Sequence, residues 1–301
     1  MHQSSNKIKL IYIASNGRSG STLLDMLLGK HNECYTLGEF QMMPIDFKNN
    51  TQPCGCSKKV SECELWTKIY NKNKEIINNG TISRFREFDG GKVLRWAELL
   101  EIFFSKPANH KQKELYGEDN YQVLDTVYNH LQDKDIRYFV DASKDSYRLK
   151  WLIQSGYFEI KVLHIIKKPE AFVYSMTKDK EGLKKLYMTL RMTFRWIVEN
   201  SIIYKVAHKY ATKDNYYKVN YEELAGNFDN EINRIFNFLE LEVSSNLYND
   251  GFMHTNHAIS GNFMRFKSPK ISLDTKWKEK MGMVFKNIVN TLTYTFRYLD
   301  K

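Results

Sequence analysis

Residues Leu10-Ile11-Tyr12-Ile13-Ala14 form a short apolar run that opens directly into Ser15-Asn16-Gly17-Arg18-Ser19-Gly20-Ser21-Thr22, and Leu23-Leu24-Asp25-Met26-Leu27-Leu28 follow without a break. The run is short and β-branched enough for a buried strand, two glycines permit a tight turn, and the apolar spacing beyond the turn is helical. A helix leaving such a loop presents unpaired N–H groups to whatever the loop holds. Strand, glycine-rich loop and helix together predict an anion cradle, with phosphate or sulfate as the best fit. The bland alternative is a Gly/Ser turn without a ligand.

The nucleotide triphosphatase signature G-x-x-x-x-G-K-[ST] requires Lys directly after its second glycine. Here Ser21 follows Gly20, and the cation comes earlier, as Arg18. A P-loop kinase keeps one argument, the apolar run Tyr138-Phe139-Val140-Asp141, which ends in Asp as a magnesium-holding strand does. A non-catalytic module for a sulfated or anionic glycan is a second alternative.

The rest of the chain continues the α/β pattern. Short strands are predicted at 35–37, 138–141, 160–166 and 216–219, and helices near 147–154, 169–176, 183–210, 228–239 and 275–299. Residues 46–63, with Pro53, Gly55 and clustered cysteines, read as an irregular insertion. Residues 64–130 read as helical, with Leu94, Ala97, Leu100, Ile102 and Phe103 at helical spacing and a break at Pro107. Trp66 and Trp96 are assigned to the core. No repeat or linker divides the chain. The expectation is one domain over 1–301, a three-layer P-loop-like fold in which helices flank a central parallel sheet, with a mostly helical insertion at about 64–133.

With 45 basic against 35 acidic residues, the net charge of +10 suits an acidic partner. No run of five like charges and no modular nucleic-acid motif appears, so nucleic acid is not expected as a partner. No segment reaches the length of a signal peptide's apolar core or a membrane span, and a cytoplasmic location is expected. Oligomeric state leaves no trace in the sequence. Cys54, Cys56 and Cys63 form C-x-C-x6-C, without the second pair or the histidines at set distance that zinc sites usually show. Free thiols in a packed loop are the default, and a disulfide within the cluster stays open.

The order Arg18-Ser19-Gly20-Ser21-Thr22 resembles the 5′-phosphosulfate loop of sulfotransferases that use 3′-phosphoadenosine 5′-phosphosulfate (PAPS). Further segments match that family in order. Lys167-Lys168-Pro169 with Ser175 resembles its Arg-x-Pro strand end and following helix, where the Arg and the Ser bind the 3′-phosphate. Lys keeps the charge and loses the planar fork of Arg. Asp141-Ala142-Ser143-Lys144 resembles an Asp-Ser-Ser-Lys segment. Two stretches are similar to those of a bacterial-type branch: Cys54-Gly55-Cys56 through Trp66, and His257 through Phe266, followed by Asp274 and Trp277. The likeness spans about residues 8–280.

The resemblance implies sulfuryl transfer from PAPS to a hydroxyl or amine of an acceptor the sequence does not identify, with no metal required. It implies donor contacts from Arg18, Ser19, Gly20, Ser21, Thr22, Lys167, Ser175 and Arg265. Such transfer needs in-line positioning, neutralisation of oxygen charge and a base for the acceptor proton. Glu39, next to the loop at a predicted strand end, is the first choice of base. His257 is the second, ahead of His31, His164 and His254, and His164 is read as a core histidine because it sits inside an apolar strand. Lys144 is expected at the bridging or sulfuryl oxygen.

Overall fold

The computed structural model describes residues 7–87, 95–104, 110–131, 134–243, 247–248, 256–267 and 271–299. Five strands carry the architecture: β1 (Ile8–Ser15), β2 (Cys34–Gly38), β3 (Tyr138–Lys144), β4 (Phe158–Ile166) and β5 (Tyr216–Asn220). Every neighbouring pair is parallel, in the order β2-β3-β1-β4-β5. Parallel neighbours need long crossovers, which the intervening helices supply. α1 (Ser21–Leu28) follows β1, and α2 (Met43–Asn49), α3 (Glu64–Lys72), α4 (Lys74–Asn78), α5 (Arg84–Glu87), α6 (Trp96–Phe104) and α7 (His110–His130) lie between β2 and β3. α8 (Ser146–Ser155) joins β3 to β4, and α9 (Pro169–Thr177) and α10 (Gly182–Tyr210) join β4 to β5. α11 (Tyr221–Gly226), α12 (Phe228–Leu239), α13 (Lys276–Lys280) and α14 (Met283–Thr293) complete the described chain.

Both faces of the sheet are covered, so its strands are apolar on both sides. On β1, Leu10, Tyr12 and Ala14 enter a core shared with α3, α7, α8 and α10, while Ile11 and Ile13 enter one shared with α1 and α12. That alternation is the period-two geometry of a strand. No helix among the described residues is long and apolar enough to cross a membrane.

The predicted layers and strands are present, with two local corrections. Residues 43–49, partly within the expected irregular stretch, form α2, with Pro44 in the first turn where its missing N–H costs no hydrogen bond. Trp66 is fully buried, as expected of a core residue, but Trp96 is 72% exposed at the start of α6. The same helix exposes Leu100, Phe103 and Phe104 and buries Leu99 and Ile102, so its apolar periodicity has two faces of which only one meets the core. Leu94 and Pro107 lie outside the described residues.

Asp25 is buried on α1 and accepts a hydrogen bond from Thr36 of β2. Burial raises its pKa from 3.8 to about 7 against the opposing pull of Thr36, Lys144 and Arg265. A carboxyl with its folded pKa above the unfolded one stabilises fully below the unfolded value, and that contribution is lost as pH rises through the folded value. Stability is therefore expected to fall as pH rises from 3.8 to about 7. Asp25→Asn should flatten this slope and melt at higher temperature than the parent above that window; thermal melts over a pH series showing identical slopes would contradict the assignment.

Candidate functional site

Because all five strands run the same way, their carboxyl ends share one edge of the sheet, the edge where open α/β sheets bind ligands. β1 ends in the glycine-rich loop, β2 is followed by Glu39, β3 ends at Lys144, β4 is followed by Lys167 and β5 by Tyr221. Along that edge Ala14 pairs with Lys144, Ser15 with Ile165 and Ile166 with Asn220. A cleft of about 440 Å³ opens there and is lined by Arg18, Gly20, Ser21, Thr22, Lys144, Lys167 and Ser175, together with Tyr221, Asn262 and Met264.

The loop is built for close approach. Arg18 and Gly20 take positive φ values of 70° and 94°, and Gly20 caps α1 without any side-chain hydrogen bond to its first amides. The N-terminal N–H groups and the positive end of the helix dipole are left to a ligand. Ser19 is fully buried, and its Oγ has no hydrogen-bond partner. Lys144, at φ 69°, is the second non-glycine residue of this edge in the left-handed region. Its ammonium is ion-paired with Glu39.

Across the cleft, Lys167 is 8% exposed and lies 4.5 Å over the Tyr221 ring. Burial pushes its pKa down, with Glu222 and Asp274 pulling the other way. Among the described residues no carboxylate lies within ion-pair distance of it, so an anion that reached it would meet a desolvated cation. Ser175, on α9, donates to the Phe172 carbonyl at 2.7 Å.

Ser19, Glu39, Arg265 and His257 are not among the residues that line the cleft, and Glu39 reaches its edge only through the ion pair with Lys144. Arg265 is buried, donates to the Pro53 carbonyl at 2.6 Å, and keeps Nε and Nη1 without partners. Burial lowers its pKa, against attraction from Cys54, Asp25, Asp46 and Glu39. The His257 ring faces sulfur, with Nδ1 3.1 Å from Cys63 Sγ and 3.7 Å from Cys54 Sγ. His164 is a core histidine bonded to Tyr216 and Asn200, its pKa driven down to about 3 by burial. His31 is buried, with Nε2 2.8 Å from the Glu242 carbonyl oxygen. His254 lies outside the described residues.

Three contributors escaped the reading of the sequence. Tyr221 floors the loop at Gly20 and stacks on Lys167; its signal was its position directly after β5, at the shared carboxyl edge. The Asn262 N–H donates to Thr22 Oγ1 at 3.3 Å, so the C-terminal loop closes one wall of the cleft. The same loop bridges Gly38 at Ile259, so close that a Cβ on Gly38 would lie 2.3 Å from the Ile259 carbonyl oxygen. These long-range approaches leave no local pattern.

A sequence model of the sulfotransferase family matches residues 11–245. Among solved structures, the chain is similar to the sulfotransferase domain of the Synechococcus PCC 7002 olefin synthase, with 18% identity, a TM-score of 0.57 and 99% of this chain and 98% of that one covered. It is also similar to the sulfotransferase domain from the curacin biosynthetic pathway, at 14% identity and a TM-score of 0.53 over 97% of this chain and 99% of that one. A third likeness is to a sulfotransferase from Mycobacterium avium, at 9% identity and a TM-score of 0.53 over 97% of this chain and 76% of that one. At such identities these structures establish the shared fold. Comparison with curated proteins finds no match.

A Cβ at Gly20 would lie 2.5 Å from the Tyr221 ring, at a φ that suits glycine. Gly20→Ala is expected to cost about 1–3 kcal/mol in urea unfolding, with part of that loss recovered in the Gly20→Ala, Tyr221→Ala double variant. Strictly additive losses would show that the two residues do not meet.

Proposed function

The chain belongs to the sulfotransferase family, and on that premise we propose that it moves a sulfuryl group from PAPS to a hydroxyl or amine of an acceptor. The observation that carries this reading is one cleft with two cationic stations. Arg18 and the uncapped amides of α1 stand at one, and the desolvated Lys167 with Ser175 at the other. A donor with a phosphosulfate at one end and a separate 3′-phosphate suits that spacing of charge, and Gly20 leaves room for its backbone approach.

PAPS supplies an activated sulfuryl group with a nucleotide phosphate as leaving group. The chain's residues bind and orient it. Ser19, Gly20, Ser21 and Thr22 supply the loop for the phosphosulfate, Arg18 faces its oxygens, and Lys167 and Ser175 hold the 3′-phosphate. Lys144 neutralises charge on the bridging oxygen, and Glu39, held beside the cleft by Lys144, takes the acceptor's proton. Arg265 contributes from beneath, holding the C-terminal loop to Pro53. The transferred group carries less negative charge than a γ-phosphoryl group, so positioning and fixed cations suffice for the transfer.

We assign residues 1–301 to one domain and give the helical insertion of about 64–133 to the acceptor. The Arg95 N–H, one residue before α6, donates to the Tyr147 hydroxyl, three residues beyond Lys144.

The kinase alternative loses its best support. Asp141 is fully buried and engaged by Arg148 Nη2 at 2.8 Å and Nε at 3.0 Å, so the carboxylate is neutralised in place. A passive glycan-binding module gives no role to a carboxylate held beside a cationic cleft.

Calorimetric titration with PAPS or its desulfated product, in the presence of a magnesium chelator, tests the reading. Arg18→Ala and Ser175→Ala are each expected to weaken binding, Arg18→Ala by about 10- to 100-fold, as loss of a hydrogen bond to a charged group predicts. Unchanged affinity in both would overturn the donor site. Glu39→Gln should retain donor affinity and lose about 10²- to 10⁴-fold in kcat, as removal of a general base predicts; normal turnover would exclude it as the base.

A further inference from the structure

Outside the cleft, the fold collects four groups that the sulfuryl transfer does not use. Cys54, Cys56, Cys63 and His257 each offer one ligand atom, and these atoms all lie within 4.8 Å of one another. Cys54 Sγ and Cys63 Sγ are 3.6 Å apart, and His257 Nδ1 stands 3.7 Å and 3.1 Å from them. Tetrahedral zinc with Zn–S near 2.3 Å and Zn–N near 2.0–2.1 Å puts sulfurs ~3.8 Å apart and sulfur and nitrogen ~3.6 Å apart. We propose that Cys54, Cys56, Cys63 and His257 form a structural zinc site of the Cys3His type.

The surroundings suit bound thiolates. The backbone N–H groups of Cys56 and Trp66 face the sulfurs of Cys54 and Cys63. Cys54 and Cys63 are fully buried, and Cys56 is partly exposed, which leaves an entry path. The loop that holds the first two cysteines is shaped by its own backbone, with Cys54 N–H donating to the Lys58 carbonyl at 2.8 Å and Ser57 at φ 69°. His257 is positioned through its carbonyl, which accepts the Trp66 indole N–H at 2.7 Å, and Gly55 N–H donates to the Ala258 carbonyl at 2.9 Å. A disulfide would use two thiols and leave the third and the imidazole without a role. A four-ligand ion uses them all.

The proposed ion would join two segments about 200 residues apart, and through them reach the donor cleft. The loop that starts at His257 bridges Gly38, just before Glu39, and closes on Thr22. Zinc at the loop's root would hold that wall in place without touching the reacting groups. This use of metal is independent of the transfer chemistry, and the donor-binding experiment stands or falls separately.

Elemental analysis of the full chain purified under reducing conditions is expected to find zinc equimolar with protein. Stripping it with a chelator should lower the melting temperature and expose thiols to a thiol reagent. Refilling with cobalt(II) should give thiolate-to-cobalt charge transfer and tetrahedral d–d bands. Cys63→Ser and His257→Gln should each lose more than the ~10- to 100-fold in metal affinity that removal of an outer hydrogen-bond partner costs, while Cys34→Ser, outside the cluster, should keep the ion. If the variants do not fold, the cobalt spectrum and thiol count of the wild-type chain decide. Protein that binds neither zinc nor cobalt, a Cys54–Cys63 disulfide in the reduced preparation, or a cobalt spectrum without thiolate bands would overturn the proposal.

Discussion

The parallel direction of five strands is the constraint from which the rest of the site follows. Each strand delivers its carboxyl end, and the residue just beyond it, to one edge of the sheet. The glycine-rich loop, Glu39, Lys144, Lys167 and Tyr221 come from distant parts of the sequence, yet each stands at the end of a strand. A reversed strand would have sent its residue to the opposite edge. The apolar faces that α1 and α12 cover on one side, and α7, α8 and α10 on the other, hold the strands in that register.

Charge is distributed on this frame with a clear division of labour. Two buried cations away from the cleft, Arg148 and Lys150, are paired with carboxylates. Arg148 is spent on Asp141, Tyr116 and Asn120, and Lys150 on Glu98 and Glu101. Lys167 is desolvated without a carboxylate partner in ion-pair distance among the described residues, a costly arrangement unless an anion arrives. Lys144 stands between these cases, with its partner Glu39 also beside the cleft. The contrast marks which cations are available for binding.

Much of the fold was legible because its signals are local. The β1–loop–α1 unit shows in the unbroken stretch from Ile8 to Leu28, and the apolar runs of β3 and β4 are short, bounded and rich in β-branched or aromatic residues. Trp96 was misread because helical periodicity reveals that a face is apolar without revealing whether anything packs on it. His257 was weighed as a base because its segment resembles a family loop, but its ring is turned to Cys63, a contact across 194 residues that no spacing rule anticipates.

The sequence by itself determined the strand, glycine-rich loop and helix unit, the parallel α/β class and the identity of the cations that line the cleft, because strand, turn and helix signals depend on neighbours in the chain. Tertiary structure decided the rest. It brought Tyr221 under Gly20, gave Asp141 to Arg148, laid the 257–265 loop against Gly38 and Thr22, and gathered three cysteines and a histidine at one point. Those juxtapositions depend on how sheet, helices and loops pack in three dimensions, and a linear pattern carries no record of distances between residues it keeps far apart.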